Sequence, residues 1–339
     1  MRRCRTTVLA AVALAGAGLT AAAPASAQED ETWSFAVIGD VPYGDKLLAG
    51  FPAFIDQINA DPDIRMVSHL GDIKSASTTC DDERFATVRR DFDRFADPLV
   101  YTPGDNEWTD CHRRNNGHYP PLERLATVRR MFFDHPGRTL GQPVPVKSQD
   151  TRGFPENVRY SRAGISFATL HVVSSRNDLM PWTGIGHTAP TREQIAEEQS
   201  RMDAAIANMR EAFDEATDDD ARAVVLMQQA DMFNGNVLNP QYSDYSAFRP
   251  LVRAIDDEAN DFDGPVYLFN GDSHVFTLDH PLAAGSPWLS FYGLQGSADN
   301  LTRITVDGAA KGEDDYVKAT VDSTDDDDDT VSVERIPAS

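Results

Sequence analysis

Residues 266–274 read VYLFNGDSH, an apolar run that stops at a glycine, an aspartate and a histidine. Three earlier stretches have the same form: FAVIGD at 35–40, MVSHLGD at 66–72 and LVYTPGD at 99–105. A short apolar run closed by glycine is typical of a buried strand that leaves its sheet. The chain therefore places an aspartate at each of four predicted strand ends, namely Asp40, Asp72, Asp105 and Asp272.

The repetition of this pattern predicts more than four turns. A single Gly-Asp pair would indicate only a turn, because both residues favour turns. In open α/β sheets, however, ligands bind outside the carboxyl ends of the strands, where four carboxylates would meet. Such carboxylates repel each other unless a cation lies between them, and hard divalent cations take oxygen ligands. The pattern therefore favours a metal site over independent turns.

The order of the predicted elements indicates an α/β fold. Strands and helices alternate over residues 33–102, which predicts two βαβ units and a parallel core. A hairpin about Ala163-Gly164 and a long helix over 191–216 follow, and strands are predicted at 223–228 and 266–269. Four further segments are interpreted as strands: 288–294, 301–306, 316–321 and 330–335. The predicted architecture is two mixed sheets packed face to face, with helices outside.

The amino terminus has the form of a secretory signal peptide, predicted over residues 1–27. Arg2, Arg3 and Arg5 precede an apolar, alanine-rich stretch that ends in a small-residue cleavage site at 25–27. A transmembrane anchor is the weaker alternative, because the stretch is short, interrupted by glycines and followed by an acidic segment. We therefore expect an exported, extracytoplasmic protein with no stable membrane anchor and one domain over 28–339.

Charge and cysteine content narrow the choice of partners and compartment. The chain has 31 basic and 54 acidic residues and a net charge of −23, which argues against nucleic acid as a partner because binding it requires a basic surface. Of three cysteines, Cys4 lies in the predicted signal peptide. In an oxidising compartment Cys80 and Cys111 are expected to form a disulfide, which would join the loops that follow Asp72 and Asp105.

In order and spacing, the motifs resemble those of the calcineurin-like metallophosphoesterases over roughly residues 33–307. That superfamily is an α/β/β/α sandwich around a two-metal site. Its motifs are Asp-x-His, Gly-Asp-x-x-Asp/Asn, Gly-Asn-His-Asp/Glu, a lone His and Gly-His-x-His. Asp40, Asp72 and His274 match the first Asp, the metal-bridging Asp and the last His. The resemblance implies the same α/β/β/α sandwich of two mixed sheets flanked by helices.

At other positions this sequence departs from the family pattern. Pro42 stands where the first His is expected, Asp105 replaces an Asn ligand and Asp272 replaces a His. Asn106 stands in place of the His that assists the leaving group, and residues 228–231, QQAD, stand in place of the lone His. Asp272 and residues 228–231 exchange imidazole ligands for oxygen, and Asp105 exchanges an amide for a carboxylate, which favours hard cations. The resemblance therefore implies two divalent ions, Mn, Mg or Ca rather than Zn. The implied ligands are Asp40, Asp72, Asp105, Asp231, Asp272 and His274.

Gln229 is the alternative to Asp231, because a one-residue slip would reverse which side chain faces the metals. The resemblance also implies hydrolysis of phosphomonoesters or phosphodiesters by a metal-bound hydroxide, with a small phosphorylated substrate. Asn106 and His112 are the catalytic candidates, His112 as a proton donor, unless it is a surface histidine.

Arg176, Tyr43 and Asn106 are the candidate substrate contacts. The alternative for Arg176 is that it belongs to an ordered surface loop without contact to substrate. The alternative for Tyr43 is that it only fills the loop after the strand. Because several motif histidines are replaced, a noncatalytic, metal-stabilised binding protein on the same scaffold is the alternative function.

Overall fold

Two mixed β-sheets lie face to face and carry helices on their outer sides. The computed structural model describes residues 32–235, 237, 240–311, 315–322 and 330–338. The predicted signal peptide lies outside the described residues, and the domain boundary at residue 28 stays a prediction. The strands are β1 Thr32–Ile38, β2 Ile64–His69, β3 Pro98–Tyr101, β4 Leu140–Gly141, β5 Lys147–Gln149, β6 Phe154–Arg162, β7 Ile165–Thr169, β8 Ala223–Met227, β9 Val266–Asn270, β10 Thr277–Asp279, β11 Leu301–Thr305, β12 Asp315–Asp322 and β13 Val331–Pro337.

The helices connect and cover these strands. They are α1 Gly44–Asn59, α2 Asp82–Phe92, α3 Pro121–Phe132, the single turn α4 Ser174–Asn177, α5 Arg192–Asp218, α6 Tyr242–Tyr245, α7 Arg249–Asp261 and α8 Pro287–Tyr292. None of the described helices is long and apolar enough to cross a membrane.

Each sheet combines a parallel centre with antiparallel edges. The first has the order β13-β12-β1-β2-β3-β4 and the second β10-β11-β9-β8-β7-β6-β5. Strands β1, β2 and β3 are parallel, as are β7, β8, β9 and β11. The outer pairs are antiparallel. The predicted parallel core and mixed sheets are confirmed.

Alternation along β1 shows how the layers form. Phe35 and Val37 belong to the core between the sheets, where the Phe35 ring lies 5.6 Å from that of Phe269. Ala36 and Ile38 point the other way, into the core beneath α1, α2 and α3. Successive side chains of a strand point to opposite faces, so one apolar strand supplies two cores. A third core lies between the second sheet and helices α5, α7 and α8, which completes the α/β/β/α layering.

Two segments show how capping residues decide local structure. The long helix α5 begins as predicted, at a capping box in which Thr191 and Gln194 exchange hydrogen bonds. The strand predicted at 288–294 is wrong, because residues 287–292 form helix α8. Its start is marked by Ser286, whose side chain accepts from a backbone N–H, and by Pro287 at the first helical position.

Candidate functional site

Four of the predicted site residues have an uncommon backbone conformation at the strand ends. Asp40, Asp72, Asp272 and His274 have φ values of 57°, 58°, 73° and 56°. Non-glycine residues seldom adopt positive φ, and such strain concentrates at functional sites. The left-handed turns let the chain leave the sheet sharply, and they bring side chains from β1, β2 and β9 into hydrogen-bond contact.

The Tyr43 hydroxyl lies at the centre of this cluster. It is 3.1 Å from Asp40 Oδ1, 3.2 Å from Asp72 Oδ2 and 3.3 Å from His274 Nε2. His274 Nε2 in turn lies 2.9 Å from Asp40 Oδ1. The Asn106 amide donates to Asp72 Oδ2 at 2.8 Å and to the Tyr43 hydroxyl at 3.3 Å. Five of the candidate site residues therefore share one hydrogen-bond network.

Asp105 lies on the other side of Asp72. Its Oδ1 and Asp72 Oδ2 each accept from Gln229 Nε2 at 3.3 Å. Its Oδ2 accepts from the Ser175 hydroxyl at 2.8 Å. Both carboxylate oxygens of Asp105 thus have protein donors. The sequence motifs gave no indication that Ser175 belongs to the site.

The Asp231 side chain forms an ion pair with Arg303, and Gln229 contacts Asp72 and Asp105 where Asp231 was expected. Asp231 Oδ1 accepts from Arg303 Nη1 at 2.6 Å and from the Phe233 backbone N–H at 3.0 Å. Arg303 is buried, so this ion pair gives Asp231 a structural partner. Of the two alternatives left open by the sequence, the geometry places Gln229 against Asp72 and Asp105.

Burial and mutual repulsion perturb the carboxyl groups. Burial, followed by the charges of Asp105, Glu107 and Asp40, raises the pKa of Asp72 well above its usual value. Burial and the charges of Asp105 and Asp40 act in the same way on the pKa of Asp272. Perturbed groups of this kind cluster at functional sites. Proton sharing or a bound cation is needed to hold these carboxyl groups together.

Glu107 and His69 hold the loops beneath the cluster. Glu107 Oε1 accepts from the backbone N–H groups of Asp72 and Gly104 at 3.0 and 2.8 Å. His69 Nδ1 accepts from Gly71, so its Nε2 carries the proton and donates to Val41 at 2.9 Å. Burial lowers the pKa of His69 to about 4, so His69 is a hydrogen-bonded group of the core rather than a ligand.

His112 does not join the cluster through its hydrogen bonds. It is buried, and its Nδ1 accepts from the Gly184 backbone N–H at 3.1 Å. Burial, with the charge of Arg113, lowers its pKa to about 4. His112 is therefore neutral near pH 7 and has no imidazolium proton to donate, which argues against its expected role as general acid. The sequence suggested it only because its loop follows Asp105.

A left-handed turn forms one wall of the site. Ser175, Arg176, Asn177 and Asp178 have φ values of 54°, 59°, 53° and 73°. The fully buried Arg201 donates to the side chain and to the carbonyl of Asn177, which fixes this turn. With the four strand-end residues, eight of the eleven non-glycine residues with positive φ in the described chain lie around this site.

An open pocket of about 420 Å³ lies beside the turn. Asp272, Ser175 and Arg176 form its polar side, and its apolar side includes Met180, Val237, Tyr245 and Phe248. Arg176 Nε donates to Asp244 at 2.8 Å, and both side chains are about two-fifths exposed, at 40% and 44%. The Arg176 guanidinium therefore lines a pocket that adjoins the carboxylate cluster.

The predicted disulfide is present. Cys80 and Cys111 are bonded, with their Cα atoms 5.7 Å apart, and both are fully buried. The bond joins the loops after β2 and β3, and Asn106 lies between the two cysteines in the chain. The disulfide thus fixes the segment that carries Asn106 and agrees with an oxidising compartment.

The ligand atoms of the cluster suit a hard cation. The His, Cys, Asp and Glu side chains of the described residues, however, do not form a metal site by themselves. No group of three or more such side chains with metal-binding geometry occurs within the described ranges. Tyr43 and the amides, which lie outside that set, stand between the carboxylates. The lone-pair atoms of Asp40, Asp72, His274 and Tyr43 lie 2.9 to 3.3 Å from their neighbours, and carboxylate and phenol oxygens fit Mg or Mn.

Comparison with known proteins adds little to this geometry. No family model matches the chain, and no curated protein matches it in sequence. One solved structure, "GAP50 the anchor in the inner membrane complex of Plasmodium", is 8% identical, covers 91% of this chain and 89% of its own, and gives a TM-score of 0.44. Phosphopantetheinyl hydrolase (PptH) from Mycobacterium tuberculosis is 12% identical, with coverages of 81% and 90% and a TM-score of 0.37. At these values the similarity assigns no activity to this chain.

Proposed function

We propose that this protein is an exported, metal-dependent hydrolase of phosphoric monoesters or diesters. The observation that carries the proposal is the convergence of Asp40, Asp72 and His274 on the Tyr43 hydroxyl within hydrogen-bond distance, with all three of these residues at positive φ. Clustered carboxylates beside a pocket with an arginine suit the binding of a cation and a phosphoryl group. The resemblance of the motifs to metallophosphoesterases points to the same chemistry.

In this proposal Asp40, Asp72 and His274 hold a divalent cation, which supplies Lewis-acid polarisation of the phosphoryl oxygen. Asn106 offers amide hydrogens at the same place, and it orients phosphoryl oxygens without donating a proton to the leaving group. Arg176 turns part of its guanidinium from Asp244 toward the phosphate, for which its planar fork is suited. The apolar side of the pocket receives the organic part of the ester.

The proposal is tested by hydrolysis of aryl phosphate monoesters and diesters. The purified protein is stripped with chelator and resupplied with Mn, Mg, Ca or Zn, beside Asp72→Asn and the surface control Asp93→Asn. Asp93 pairs only with Arg89 in the described structure and is more than half exposed. We expect metal-dependent turnover that Asp72→Asn reduces at least 100-fold, because it removes a charged contact worth about 3 kcal/mol, and that Asp93→Asn leaves unchanged. Equal turnover in all three proteins would contradict the proposal.

A noncatalytic binding protein is the second candidate, favoured by one specific observation. Asn106 has no titratable proton, and His112 is neutral and bonded to Gly184, so neither residue offers the leaving group an acid. The two candidates differ in one result. A binding protein would be stabilised against heat by metal without hydrolysing any ester, at any pH tested.

A further inference from the structure

The two sides of Asp72 offer different atoms to a cation. On one side, Tyr43 Oη lies 3.1 Å from Asp40 Oδ1, 3.2 Å from Asp72 Oδ2 and 3.3 Å from His274 Nε2. His274 Nε2 lies 2.9 Å from Asp40 Oδ1. Neighbouring ligands of an octahedral ion with bonds of about 2.1 Å stand about 3 Å apart. This side therefore has the spacing of a ligand set for one cation.

On the other side, Gln229 presents hydrogens rather than lone pairs. Its Oε1 accepts from the Ser174 backbone N–H at 2.8 Å. A backbone N–H can only donate, so the orientation of the amide is fixed and its NH₂ group faces Asp72 and Asp105. An amide NH₂ has no lone pair for a cation. The position expected to provide a ligand thus provides a donor that already satisfies both carboxylates.

A positive charge is also buried close to the cluster, two residues after Asp72 in the chain. Lys74 is fully buried, and its ammonium donates to the Ser75 carbonyl at 3.1 Å and to Asn116 Oδ1 at 3.5 Å. The carboxylates that act on it are, from the strongest, those of Glu107, Asp72, Asp110 and Asp105. A buried ammonium is costly unless opposite charge lies near it. Lys74 therefore depends on these carboxylates and partly neutralises them.

We propose that the Gln229 carboxamide and the Lys74 ammonium take the place of a second cation, so that the cluster binds a single divalent ion on the side of Asp40, Asp72 and His274. This inference rests on the metal dependence in the proposed function. It departs from the two ions that the motif resemblance implies. Asp105 then serves as an acceptor that anchors Gln229 and Ser175, rather than as a ligand.

Manganese provides a direct test, because its amount and its magnetic state are both measurable. The purified protein is loaded with Mn²⁺ and dialysed, and bound Mn is counted by elemental analysis and examined by electron paramagnetic resonance. We expect one Mn per chain and the spectrum of an isolated ion. Two Mn per chain with a spin-coupled spectrum would overturn the inference, and so would the absence of bound Mn.

Variants assign the ion to one side of Asp72. His274→Ala is expected to lose the single Mn. The double variant Lys74→Met/Gln229→His removes the built-in charge and supplies an imidazole lone pair, so it is expected to take up a second Mn. Gln199→His, on an exposed position of α5, controls for an added imidazole and should keep one Mn. Circular dichroism checks that each variant is folded, and the wild-type count stays decisive if the double variant is not.

The inference and the proposed function fail in different ways. One bound Mn with no ester hydrolysis would leave the inference standing and contradict the enzyme. Turnover with two coupled Mn ions would support the enzyme and overturn the inference. Retention of Mn by His274→Ala, in a folded protein, would also overturn the inference because the ion would then lie elsewhere.

Discussion

Gly271 lies directly against the carboxylate of Asp40. A β-carbon at residue 271 would come well inside 3.0 Å of Asp40 Oδ2, a separation that real β-carbons essentially never show. Gly104 stands in the same relation to Asp72 Oδ1. The glycine of one Gly-Asp pair thus makes room for the aspartate of another, and the repeated motif is a packing requirement of the cluster as well as a turn signal.

Gly271→Ala adds only one methyl group, but it is expected to lower both stability and turnover. The added methyl group must displace Asp40, which costs about 1 to 3 kcal/mol of unfolding free energy, as overpacking does in a dense interior. Turnover should fall as well, because Asp40 moves. Chemical denaturation and ester hydrolysis measure the two effects. Gly50→Ala is the control, since that residue lies in α1 with nothing within 4 Å of its β-carbon position, and it should stabilise by about 0.5 to 1 kcal/mol. Equal effects at both positions would contradict the packing argument.

Tyr43→Phe is expected to weaken both Mn²⁺ binding and turnover by roughly 10- to 100-fold, the range for losing a hydrogen bond to a charged group. The hydroxyl contacts Asp40, Asp72 and His274 at once, so no other group in the network replaces it. Calorimetric titration with Mn²⁺ and steady-state kinetics provide the measurement. Tyr119→Phe is the matched control, because that ring packs against Arg124 away from the cluster. Unchanged Mn²⁺ affinity in Tyr43→Phe would exclude Tyr43 as a ligand.

The sequence predicted the four strand ends because buried strands closed by Gly-Asp have a clear pattern. The structure brings three ends of the first sheet and one of the second together. It left Gln229 and Asp231 as alternatives because the turn after β8 sets which side chain faces inward, and no periodicity extends into that turn. His112 was placed by proximity in sequence, whereas the path of its loop takes its ring to Gly184. The left-handed turn at 175–178 had no sequence signal, since tertiary contacts with Arg201 and Glu198 impose it.

Glu156 should make the free energy of unfolding depend on pH. Burial alone would raise the pKa of this carboxyl, but the Arg129 guanidinium and the hydrogen bond from His171 Nδ1 outweigh burial and lower the pKa to about 2. The folded pKa lies below the unfolded value, so the stabilisation is present above about pH 4.5 and is lost as the pH falls toward 2. Glu156→Gln should cost on the order of 3 kcal/mol at pH 7, and the difference from wild type should shrink below pH 4.5. Denaturation at several pH values measures it, with exposed Glu83→Gln as the control. A difference independent of pH would contradict the assignment.

Removal of the disulfide should lower stability and loosen the loop that carries Asn106. The bond closes a span of 31 residues, and the chain-entropy relation gives about 3 to 4 kcal/mol for a loop of this length. The double variant Cys80→Ser/Cys111→Ser is compared with wild type by urea denaturation. At low temperature, where the variant stays folded, its KM should rise more than its kcat falls, because the loop that carries Asn106 is less well fixed. Unchanged stability would show that packing alone holds the two loops.

The left-handed turn beside the pocket is maintained by Asn177 at a cost in backbone strain. The Asn177 side chain accepts from Val173 and Arg201 and donates to Glu198, so its removal leaves buried polar groups without partners, at about 1 to 3 kcal/mol. Asn177→Gly and Asn177→Ala both lose these bonds, but only alanine also bears the cost of positive φ, about 1 kcal/mol more. We therefore expect both variants to be destabilised, with alanine the worse by about 1 kcal/mol, in chemical denaturation. If the turn positions Arg176 for phosphate, both variants should also raise KM for aryl phosphates. Wild-type stability in the glycine variant would mean that the turn is held by the backbone and by Ser175 and Asp178 alone.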